Sequence, residues 1–123
     1  MARCRTIKPS FFSNETLAEC SPLARILFAG LWCWADRHGR LEDRPRRIKA
    51  EVLPYDNADA DVLLAELEHR GFVSRYESGG VHVVQIAAFG KHQKPHPKET
   101  SFDLPGPEKF PASPGKVTVL PRK

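Results

Sequence analysis

The sequence predicts an α+β domain of three helices and a small antiparallel sheet, with an arm before it and a Pro-rich tail after it. Three observations carry this expectation. A strongly apolar helical stretch opens at Ser21 and Pro22 and runs toward Gly39. Two shorter segments of helical period follow between Asp43 and Gly71. Two runs of alternating residues then flank Ser78-Gly79-Gly80, the signature of a hairpin. A chain of 123 residues is expected to hold one such domain. The expected boundaries are an arm over 1–20, the domain over 21–89 and the tail over 90–123.

In the arm, Arg3, Arg5 and Lys8 precede Pro9, and Phe11 and Phe12 are suited to anchor it on the core. Asn14 or Ser13 is placed to cap a short turn over residues 15–20. The first long helix begins with Ser21 as cap and Pro22 at its first position, where the missing N–H costs nothing. Leu23, Ile26, Leu27, Leu31 and Trp34 recur at helical spacing, and Ala24, Phe28, Trp32 and Ala35 widen the apolar stripe. Gly39 is expected to end the helix through a left-handed residue. Leu41, between Arg40 and Glu42, makes a minimal strand.

Asp43 is the expected cap of the second helix, with Pro45 in its first turn. Ile48, Val52 and Leu53 give its buried stripe, and Pro54 ends it. After a polar turn, Asp59 or Asn57 caps a third helix over 60–70, with Leu63, Leu67 and either Val62 or Leu64 facing inward and Gly71 closing it. Strands over 72–77 and 81–86 form the hairpin. From Gly90 the chain turns basic and Pro-broken, with seven prolines from Pro95 to Pro121, so an extended tail without packed elements is expected. Phe102, Leu104 and Phe110 are its candidate contacts with the domain or a partner.

The net charge of +4 is unevenly distributed. Residues 1–50 carry ten Lys/Arg against five Asp/Glu, residues 51–90 two against seven, and residues 91–123 seven against three. Two basic zones therefore flank an acidic one, and basic clusters attract polyanions, nucleic acid first. No run approaches the roughly 18 apolar residues of a membrane span, and no apolar segment follows the N-terminal cations, so neither a membrane partner nor a secretory signal is expected. The odd count of Cys4, Cys20 and Cys33 favours a reducing cytoplasm over a disulfide framework.

Helix, short strand, helix, helix and hairpin is the element order of a winged helix-turn-helix, with the hairpin as wing. The opening ARCRTIKPSFF, the core SPLARILFAGLWCWADRHGRLEDRPRRIKAEVLPYD, the L-x-x-L-x-x-x-G-F-V-x-R-Y segment and KHQKPHPKE resemble the N-terminal winged-helix domain of phage and prophage replication proteins, the replisome organisers or primosome-like proteins. The resemblance spans roughly residues 2–101 and is most specific from Leu41 to Tyr55 and at KHQKP. It implies binding at a phage replication origin and later recruitment of a helicase or its loader; double-stranded DNA is the ligand the winged-helix reading favours. Longer members of that family continue past the KHQ segment into a second domain, where a Pro-rich stretch stands here.

Arg44, Arg46, Arg47 and Lys49 are the leading DNA candidates, because Arg forks match phosphate oxygens and guanine edges. Arg3, Arg5 and Lys8 suit a phosphate or minor-groove arm. Arg75 on the wing, with Lys91, His92, Lys94 and Lys98 beyond it, suits a backbone track. A homodimer fits such a protein, since many helix-turn-helix proteins read two-fold sites.

The acidic residues Asp59, Asp61, Glu66 and Glu68 on the third helix suit phosphates badly. They support an alternative in which that helix is a protein-docking or DNA-mimicking face of an adaptor or inhibitor. A transcriptional regulator is a close relative of the first reading. His92 and His96 have a His-x3-His spacing, but the intervening Pro95 breaks the helix that spacing needs, so no metal is expected. With no Gly-rich phosphate loop and no catalytic constellation, neither enzyme activity nor a cofactor is expected.

Overall fold

The computed structural model describes residues 2–95, 98–99 and 101–106. Over these residues the chain is α+β, with six helices and a three-stranded antiparallel sheet: α1 (Ser10–Ser13), α2 (Glu15–Ala18), α3 (Pro22–Trp34), β1 (Arg40–Glu42), α4 (Pro45–Val52), α5 (Ala60–His69), β2 (Val73–Ser78), β3 (Val81–Ile86) and α6 (Phe89–His92). The stretch beyond residue 106, including Phe110, and His96 lie outside the described residues.

Local capping chemistry fixes the starts of three helices. Asn14 accepts from the Leu17 amide at α2, Ser21 from Ala24 at α3, and Asp59 from Asp61 at α5. At α3 the cap is doubled across the fold. The Glu66 carboxylate of α5 accepts from both the amide and the hydroxyl of Ser21, at 2.5 and 3.0 Å. Such an anion at a helix N-terminus also offsets the helix dipole.

The core lies where α3, α5 and the sheet meet. Leu27, Leu31, Leu64, Leu67 and Val84 are fully buried, each contributing about 1.5–3 kcal/mol by leaving water. Phe11 brings the arm onto this core, meeting Trp32 edge-on with centroids 5.4 Å apart. Phe12 remains exposed. Trp32 is buried and Trp34 half-buried, which makes both packing residues.

The sheet has β3 at its centre, in the order β1-β3-β2. Arg40 pairs with Gln85 across β1 and β3, and Val73 with Ile86 across β2 and β3. Gly79 and Gly80 both have positive φ, 61° and 80°, the conformation a two-residue hairpin turn needs to match strand twist.

α3 stops at Trp34, well before Gly39, because Asp36 intervenes. Its carboxylate is 1% exposed. One oxygen accepts from the amides of His38 and Arg40, and the other from the amide of Phe102. The side chain competes for backbone donors and folds residues 36–40 into a tight loop instead of another helical turn. Gly39 closes that loop with φ +78°, and a Cβ there would lie 2.5 Å from Cβ of Phe89. Gly39→Ala should therefore cost about 3 kcal/mol, combining left-handed strain with overpacking. Gly79→Ala has positive φ but open space around it, so it should cost only about 1 kcal/mol. Urea denaturation of the two variants checks the difference, and equal midpoints would contradict it.

The stretch after Gly90 is not a detached tail in its described part. Phe89 starts the short helix α6, after Ala88 in a left-handed conformation. The described residues that follow, 93–95, 98–99 and 101–106, lie back against the domain as a strap. Gln93 bonds both backbone groups of Thr6, at 2.8 and 3.0 Å. Arg40 donates to the Leu104 carbonyl at 3.2 Å, and the Tyr76 hydroxyl to that of Pro105 at 2.5 Å. The strap meets its partners through single polar side chains, which leave no periodic apolar pattern to read.

Candidate nucleic-acid interface

The surface built by α4 follows from its short amphipathic period. Ile48 and Leu53 are buried at 4% and 2% exposure, and Val52 packs toward Gly30 of α3. That anchoring turns Arg44, Arg46, Arg47 and Lys49 to the other side of the helix. The side chains of Arg44 and Arg47 are 60% and 63% exposed, and Arg46 is exposed as well. Lys49 is half-buried and donates to the Pro54 carbonyl at 3.4 Å. Arg44 lies 3.6 Å from Glu42 and Arg47 3.4 Å from Glu51. Exposed pairs of this kind are worth about 0–1 kcal/mol, so these carboxylates hold the two guanidiniums only weakly. The expected cap is different: Arg44 occupies the N-cap position with no side-chain bond. Asp43 is taken by a stronger partner.

That partner is Arg75, and its expected role as a wing cation for DNA is corrected here. Its side chain is 18% exposed. Nε and Nη2 donate to the two carboxylate oxygens of Asp43 at 2.7 and 3.1 Å, and Nη2 also reaches Asp61 at 2.6 Å. A guanidinium gripping two carboxylates is a tie between β2, the start of α4 and the first turn of α5, not a cation offered to solvent.

The same contacts account for the acids of α5. Asp59 caps its own helix, Asp61 takes Arg75, Glu66 takes Ser21, and Glu68 accepts from the Arg75 amide at 3.0 Å. All four carboxylates are engaged within the fold. Among the residues α5 leaves exposed are the uncharged Val62 and Ala65.

Arg5 requires the second correction. It is not a surface cation of the arm: its side chain is 5% exposed. Nε donates to the Trp32 carbonyl at 2.8 Å and Nη2 to that of Ala35 at 3.0 Å, satisfying carbonyls at the end of α3. The guanidinium also grips both oxygens of Glu99 at 3.0 and 2.6 Å and stands 5.1 Å over the Phe89 ring. Glu99, 3% exposed, is held below the usual carboxylate range by these hydrogen bonds. The only cue to this pair in the sequence is a lone acid inside the basic KHQKPHPKE segment.

The other arm and tail candidates come together. The Gln93–Thr6 clamp lays the arm along the KHQK segment, and Lys8 donates to the Lys91 carbonyl at 3.1 Å. Lys8, Lys91, His92, Lys94 and Lys98 are exposed. Arg3 is 44% exposed, 3.6 Å from Glu99. The first and third basic zones of the sequence thus meet in a second cationic area.

A cavity of about 280 Å³ opens where the arm meets the core, with Phe11, Phe28, Trp32, Phe72 and Phe89 among its lining residues. Among the described residues no group of three or more His, Cys, Asp or Glu is placed to hold a metal ion, and the expected partner of His92, His96, lies outside them. Burial pushes the Cys20 thiol up, away from reactivity. No described helix is long and apolar enough to cross a membrane. Comparisons with protein-family models, with curated proteins and with solved structures each find no match to this chain.

Proposed function

We propose that this chain is a winged-helix DNA-binding protein of the phage or prophage replication type, acting in the bacterial cytoplasm in replication initiation or its control. The observation that carries this reading is the outward face of α4, where Arg44, Arg46, Arg47 and Lys49 lie within six residues while Asp61, Glu66 and Glu68 of α5 each have a partner within the fold. The sheet order β1-β3-β2 behind a helix pair suits a winged helix, with the Gly79-Gly80 hairpin as wing. The partners that the carboxylates of α5 have within the fold support this reading over an acidic docking face.

In this reading the duplex docks electrostatically on α4. Arg3, Lys8, Lys91, His92, Lys94 and Lys98 form a second phosphate-binding area, while Arg5 and Arg75 hold the surfaces in place.

Fluorescence anisotropy with labelled duplex DNA across a salt series tests the proposal. Four or more phosphate contacts should give a slope of about −3.6 or steeper in log affinity against log salt. Absence of binding at low salt, or a flat salt response, would refute it.

A further inference from the structure

We infer that Tyr55 is a stacking contact for unpaired bases, so that this surface prefers locally opened DNA to continuous duplex; the inference rests on the DNA reading above. Tyr55 is 98% exposed, the most exposed large apolar side chain among the described residues. Its neighbours hold it there. Leu53 is buried at 2% exposure, Pro54 follows, and the Asp56 amide donates back to the Leu53 carbonyl at 3.3 Å. This is a tight turn with Pro at its first central position and Tyr55 at its second.

Turn chemistry does not ask for a tyrosine. The second central position ordinarily favours Asp, Asn, Ser or Gly. The packing does not ask for it either, since the ring is left in solvent. Tyr76, by contrast, is engaged by the strap through Pro105. The backbone of Tyr55 is set by a proline turn at the end of the basic helix, which leaves the ring in solvent, and Lys49 reaches the carbonyl of the preceding residue. An exposed aromatic face near cations is an arrangement that binds single-stranded nucleic acid, with cations on the backbone and the ring on a base. Paired bases inside a duplex have both faces covered by their neighbours. The ring therefore gains a partner only where a base is unstacked.

The test compares three labelled DNAs by anisotropy: a duplex, the same duplex with a central mismatched bubble, and one of its single strands. The wild-type chain should bind the bubble more tightly than the duplex. Tyr55→Ala should weaken bubble and single-strand binding about tenfold while leaving duplex affinity unchanged. Tyr55→Phe should bind as the wild type does, because the ring and not the hydroxyl makes the contact. With the side chain in solvent, the alanine variant should melt at the wild-type temperature. Duplex binding with Tyr55→Ala indistinguishable from wild type on all three DNAs would overturn this inference alone. Failure of the wild type to bind any of the three would overturn the DNA reading and this inference with it.

Discussion

Replacing Glu99 with glutamine should destabilise the protein by about 3 kcal/mol, a large share of the roughly 5–15 kcal/mol that holds a small domain together. The reason is the environment of Arg5. Its guanidinium is 5% exposed and Glu99 3%, so water cannot replace the lost carboxylate. Removing one partner of a buried pair typically costs about 3–5 kcal/mol. The lower end applies because glutamine keeps the shape and Arg5 keeps its bonds to the carbonyls of Trp32 and Ala35.

The same pair sets an acid limit. The native carboxyl of Glu99 is held low by Arg5, so between its native and unfolded values the unfolded chain binds more protons. Its contribution is complete above the ordinary glutamate value of about 4.3 and disappears as pH falls through the depressed native value. Wild type should therefore lose stability on acidification through that window, and the glutamine variant should lose less. Denaturant midpoints measured above and within the window check this. Parallel curves for the two proteins would show that the pair contributes nothing.

The features that follow local rules were legible in the sequence, and those that depend on distant partners were not. Asn14, Ser21 and Asp59 cap helices because a short polar side chain before a helix has one nearby set of amides to bond. The strand over 81–86 and the Leu41 strand are where alternation and flanking turns locate them. The outward placement of the α4 cations follows from the period of Ile48, Val52 and Leu53.

Asp43, Arg5 and Arg75 break the local expectation in one way. Each is a charged residue whose partner is supplied by another element. Arg5 lies 94 residues from Glu99, and Arg75 lies 32 from Asp43. A helix-capping rule gives Asp43 to the next helix, but a bidentate guanidinium outcompetes neutral amides. A charge tally counts Arg5 and Arg75 as surface cations because it does not register that the strap brings a carboxylate to the first, and the starts of α4 and α5 bring carboxylates to the second. KHQKPHPKE has a comparable ambiguity. Its basic residues point to a phosphate track, while its uncharged Gln93 and its lone acid Glu99 clamp the arm.

Arg46→Glu combined with Arg47→Glu should reduce duplex affinity about a hundredfold or more and lower the salt slope by about 2, one for each phosphate contact removed. Both side chains point to solvent from a helix anchored on its other side by Ile48 and Leu53. The folding cost should stay within about 0.5 kcal/mol per site, including the repulsion that the second substitution creates with Glu51 one turn along the helix. A loss of binding without a change in melting temperature would then report the surface and not the fold. Reversing Glu66 and Glu68 is a poor control, because Glu66 caps α3 through Ser21 and would unsettle the core. Lys91→Glu with Lys94→Glu is the better companion, since both residues are exposed. If α4 is the principal contact, the lysine pair should weaken binding less than the arginine pair and lower the salt slope by a similar amount. A larger loss from the lysine pair would move the duplex to the arm and strap side of the molecule. Unchanged isotherms from both pairs would mean that neither basic area meets DNA, and the charge distribution of the chain would need another explanation.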